Sequence, residues 1–82
     1  MSLFEALQEA ASVCRSIGRG TRMRRLLAEI DLLRAAVAVS AVEPAPADDV
    51  ATLTRLVFGV HAEALELDRE VRLAREAHAM MD

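Results

Sequence analysis

Apolar residues recur along most of this chain at alternating intervals of three and four, the spacing that lines one face of an α-helix. Leu3, Leu7, Ala10, Cys14 and Ile17 form the first such stripe, and Ser2, three residues before Glu5, supplies the pair of a helix-opening capping box. The spacing predicts an amphipathic helix over about residues 2–17. Gly18-Arg19-Gly20 interrupts it, because each glycine weakens a helix by about 1 kcal/mol relative to alanine. A second stripe runs through Met23, Leu26, Ile30, Leu33 and Val37, widened by Leu27 and Leu32. It predicts a helix over about 21–42, with Thr21 as N-cap, ending where Glu43 meets Pro44. Pro44 and Pro46 make 43–47 a loop.

The third segment, about 48–81 and capped by Asp48 or Asp49, carries the longest regular pattern. Val50, Leu53, Val57, Val60, Ala64, Leu67, Val71, Ala74, His78 and Met81 keep the three-four alternation without a miss. Sustained over more than four heptads, this predicts left-handed packing of helix on helix. Val57, Val60, Ala64, Leu67 and Val71 are its central positions and the expected self-association seam. Gly59 is the one weak point, a candidate kink or close approach.

Length ties this pattern to assembly. A helix from Asp49 to Met81 would be about 50 Å long, whereas a compact monomer of this size is only about 30 Å across. The first two helices laid end to end, about 24 and 33 Å, would match it. The expected fold class is therefore all-α: a helical hairpin or three-helix bundle with a long C-terminal heptad-repeat helix, a single domain over 1–82 completed by homo-oligomerisation. A second apolar stripe remains outside that packing: Phe58, Leu65, Leu73 and Met80 on helix three, Leu27 and Leu32 on helix two.

Composition supports a folded chain. The 82 residues are 54% hydrophobic and 28% charged, too apolar for disorder, without an apolar run near the roughly 20 residues a membrane span needs. A chain this short hides only about 60% of its surface on folding, which limits its private core. Lysine, tryptophan and tyrosine are absent while alanine, leucine, valine and arginine dominate, a bias typical of GC-rich bacterial coding. One cysteine excludes an internal disulfide. No basic stretch followed by an apolar run opens the chain, so the expected location is the cytoplasm. Arg24 and Arg25 before the small residues 38–41 imitate a signal peptide, but Glu29, Asp31 and Arg34 interrupt its apolar region.

Charge is uneven within the net −3. Residues 15–34 carry six arginines against Glu29 and Asp31, while 43–82 carry four arginines against nine acids. The elbow at 15–25, with Arg19, Arg22, Arg24 and Arg25 around two glycines and a helix start, is a candidate contact for an anion or a partner protein. It lacks a phosphate-binding Walker pattern, and no aromatic residue beside it stacks bases.

No arrangement of residues points to catalysis. The expectation is a chain that is not an enzyme and uses no cofactor, metal or small-molecule substrate. His61 and His78 sit 17 residues apart on one helix, about 100° apart around its axis, and neither forms a Glu-x-x-His pair. Cys14 lies on an apolar stripe as a small hydrophobe. The general style is similar to short bacterial helical hairpins that act as adaptors, secretion chaperones or regulatory inhibitors. The expected function is a protein–protein interaction module that self-associates and binds another protein, not a membrane. The alternative is a small nucleic-acid-associated or anion-binding regulator using the arginine elbow.

Overall fold

The computed structural model describes the backbone of residues 1–81 and the side chains of residues 1–80, so Met81 as a seam position lies outside the described side chains. It is all-helical: α1 spans Leu3–Ile17, α2 Thr21–Val42 and α3 Ala47–Met81.

Local chemistry sets the helix ends. At α1 the Glu5 N–H donates to Ser2 Oγ at 3.1 Å and the Ser2 N–H donates to Glu5 Oε1 at 3.3 Å, closing the capping box. Hydrogen bonding from Ser2, its hydroxyl first and its backbone N–H second, holds the Glu5 carboxyl below the usual carboxylate range. The box is therefore complete above that range and comes apart as pH falls through the lowered value. Gly18 ends α1 in the left-handed region, φ 86°, with its N–H donating to the Cys14 carbonyl.

Two caps differ from expectation. Gly20, at φ 122°, precedes α2 in place of Thr21, which is already helical, and no side chain caps the helix. Asp48 and Asp49 lie inside the first turn of α3, where their charge favours the positive end of the helix dipole, rather than ahead of it.

α1 does not extend α2. Arg22 at the start of α2 meets Glu70 of α3, and Glu9 of α1 meets His61 of α3, nine residues before Glu70. From the elbow, α1 therefore runs back alongside α3 and antiparallel to α2, giving an up-down-up bundle of three mutually packed helices. The end-to-end arrangement is overturned by the two positive-φ glycines, which reverse the chain within three residues.

The core lies in the middle of the bundle. Ala6, Leu7, Ala10, Ala11 and Cys14 from α1 meet Met23, Leu26 and Ile30 from α2 and Val57, Val60, Ala64 and Leu67 from α3, with Ile17 closing the elbow end. Small residues on α1 and Ala64 on α3 let these helices approach closely, while Leu7, Ile30 and Val57 fill the space. Each of those three contributes about 1.5–3 kcal/mol by leaving water. The length mismatch anticipated from sequence persists, as the molecule measures 56 × 18 × 17 Å, the long dimension being α3 itself.

α3 runs through Gly59 unbroken. A methyl group added there meets nothing within 4 Å, so the position is neither a break nor a close approach. Gly59→Ala is expected to stabilise the fold by up to about 1 kcal/mol, a rise of about 4–8 °C in a thermal melt followed by circular dichroism.

Candidate interaction surfaces

The central seam residues are already used within the chain. Val57, Val60, Ala64 and Leu67 are buried against α1 and α2, and Val71 is half-buried at the edge of that cluster. A second copy reaches these positions only if the bundle opens. Further along the same stripe Val50, Ala74 and His78 are exposed and Leu53 is half-buried, because α1 is too short to cover them.

Unequal helix lengths leave two kinds of uncovered apolar surface. Near the Pro44–Pro46 loop, α2 and α3 continue as a pair after α1 has stopped. An open groove of about 650 Å³ lies between them, lined by Leu33, Ala36, Val39, Val50, Leu53 and Leu56. At the opposite end α3 projects alone, and every residue from Arg72 to Met80 is exposed. The outer stripe Phe58, Leu65, Leu73, Met80 and Leu32 is solvent-facing as expected, whereas Leu27 is half-buried against the core. The groove escaped sequence reasoning because laying α1 end to end with α2 left no gap. The signal that finds it is α1's length, 15 residues beside 22 and 35.

The arginine elbow divides into engaged and unengaged groups. Arg22 Nη1 donates to Glu70 Oε2 at 2.7 Å, tying α2 to α3 inside one chain, although both side chains are about half exposed. Such a pair contributes about 0.2–1 kcal/mol. Arg19, Arg24 and Arg25 are exposed around the uncapped first turn of α2. On α3, Arg72 pairs with Asp68 one turn earlier at 3.1 Å.

His61 is a mid-helix residue of α3 that packs beside α1. Its Nε2, shielded from solvent and without a hydrogen bond, lies 3.5 Å from Glu9 Oε1. Arg34 Nε is likewise shielded and unpaired. Among the described residues no group of three or more histidine, cysteine, aspartate or glutamate side chains is placed to hold a metal ion. Among the described residues, no helix is long and apolar enough to cross a membrane.

Cys14 is a free, fully buried thiol between α1 and the other helices. Burial pushes its pKa up, against a smaller opposing pull from the Arg15 guanidinium. The unfolded chain thus loses the thiol proton first, and stability falls as pH rises above the ordinary thiol value. The expected result with a thiol-alkylating reagent is negligible labelling of the folded chain at neutral pH and rapid labelling in denaturant. Equal rates in both would contradict the burial of this face of α1.

Compared with known protein families, curated proteins and solved structures, the chain matches none.

Proposed function

We propose that this chain is a helical protein-interaction module, of adaptor, chaperone or inhibitor type, that self-associates and holds another protein in the cytoplasm without chemistry of its own. One observation carries the reading: α1 covers only the middle of the much longer α3, leaving apolar side chains exposed on both sides of the covered zone. Leu56, Val39 and Leu73 are each more than half exposed, and apolar surface gathered this way is the usual mark of a binding face. A helix laid into a groove between two helices is a common mode of protein recognition, and it suits a trough with apolar walls and charged rims.

The test is solution mass by light scattering over a concentration series, with circular dichroism on the same samples. A helical particle whose mean mass rises above the 8.9 kDa of one chain is expected. A well-folded particle that stays at one chain throughout would remove self-association.

A second reading, an anion-binding or nucleic-acid-associated regulator, is favoured by Arg19, Arg24 and Arg25 standing free around the uncapped start of α2. Failure of the chain to bind heparin or DNA at low salt would dispose of it.

A further inference from the structure

We propose that the groove between α2 and α3 is filled by the projecting end of α3, residues 72–80, from a second copy of this chain, joining copies head to tail. This rests on the self-associating reading above and specifies its surfaces.

Axial position comes first. Because Glu9 lies level with His61, Leu3 lies level with about residue 55 of α3. The stretch of α3 from Ala47 to about Thr54, roughly 12 Å, therefore has α2 beside it but no third helix. The projecting residues 72–80 span about 13 Å at 1.5 Å per residue and have no helix beside them. One end of the molecule lacks a third helix over the length by which the other end supplies one.

The projecting segment also has the face this position requires. Leu73, Ala77 and Met80 step by four and three, as Leu3, Leu7 and Ala10 do on α1. Ala74 lies between that stripe and Val71, so apolar positions cover about half of the circumference. Its alanines match the small residues by which α1 approaches its neighbours. Facing them would be Leu33, Val39, Val50, Leu53 and Leu56.

Charge and direction agree. The groove end carries Glu43, Asp48 and Asp49, whereas the end from which α3 projects carries Arg19, Arg24 and Arg25 on the elbow; on α3 itself Arg72 is paired with Asp68 and Arg75 stands next to Glu76. An α3 entering antiparallel would drive its own residues 55–70 through the place α1 occupies. Entering parallel, from the open loop end, it continues the line of α1 and brings the basic elbow of one copy against the acidic loop of the next. Two different surfaces then meet, each pair retains one unused groove and one unused projecting end, and the assembly grows rather than stopping at a pair.

The experiment uses Leu56→Asp in the groove and Leu73→Asp on the projecting end, both at exposed positions so that the core is untouched. Val39→Asp and Met80→Asp, also exposed, replace either one should its thermal melt fall well below that of the parent chain. The expected result is that the parent chain grows in mass with concentration while each variant alone remains at 8.9 kDa. An equimolar mixture should settle at twice that mass and go no further, since one intact groove meets one intact end. A parent chain that associates while Leu56→Asp associates equally, or while the mixture stays at single-chain mass, overturns the head-to-tail interface and leaves self-association standing. A parent chain that never associates overturns both.

Discussion

Leu67→Asp should abolish the cooperative thermal melt and leave little helical signal at 25 °C. Leu67 is only 8% exposed at the elbow end of the core. A carboxylate there either stays ionised without a partner, at a cost of several kcal/mol, or takes up a proton and remains a poorly satisfied polar group. Losing the leucine adds about 2–5 kcal/mol. A small domain holds about 5–15 kcal/mol in all, and one of 82 residues belongs near the bottom of that range. The same substitution at Leu73, 54% exposed, should leave the melt within about 1 kcal/mol of the parent while altering mass in solution. Both residues lie on α3 and are apolar. What separates them is whether α1 and α2 cover them. A Leu67→Asp chain that stays helical and merely loses mass would mean that α3's central face serves assembly instead of the core.

That contrast locates what the sequence could and could not convey. The breaks between helices were legible because their causes are local: glycines at 18 and 20 and prolines at 44 and 46 act within a few residues. The buried face of α3 was legible as a stripe, and Val57, Val60, Ala64 and Leu67 are indeed buried. Which helix covers that stripe was not. A three-four alternation states that a face is buried and says nothing about whether the cover comes from the same chain or another. The direction of α1 was hidden for a related reason. Two glycines signal a break, but the φ values that turn a break into a reversal emerge only when Leu7 and Cys14 find α3. The groove follows from that reversal, so it was invisible for as long as α1 was laid end to end with α2. The free arginines were legible as a cluster, while the selection of Arg22 for an ion pair required the level of Glu70 to be known.

A closed elbow is therefore the main conformational decision in this fold, and Gly18→Ala combined with Gly20→Ala should weaken it measurably without undoing it. Gly18 sits at φ 86°, where a Cβ costs roughly 1–2 kcal/mol, and Gly20 at φ 122° and ψ 150° lies outside the regions open to L side chains, at about 1–3 kcal/mol. Alanine also favours by about 1 kcal/mol per site the competing state in which α1 and α2 join as one helix. Against this stands the burial of Leu7, Cys14, Ile17 and their alanine neighbours, which exceeds the penalty, so the bundle should persist as the major form. The balance nevertheless shifts by at least about 4 kcal/mol toward undocked α1, a factor of about 1000 or more in its population. Alkylation of Cys14 under native conditions should accelerate by that factor while the helical signal is unchanged, because the undocked state loses tertiary contacts and no helix. A loss of helical signal in step with the labelling would instead mean that α1 unfolds once it leaves α3. An unaltered labelling rate would mean that the elbow's glycine conformations are not what holds α1 against α3.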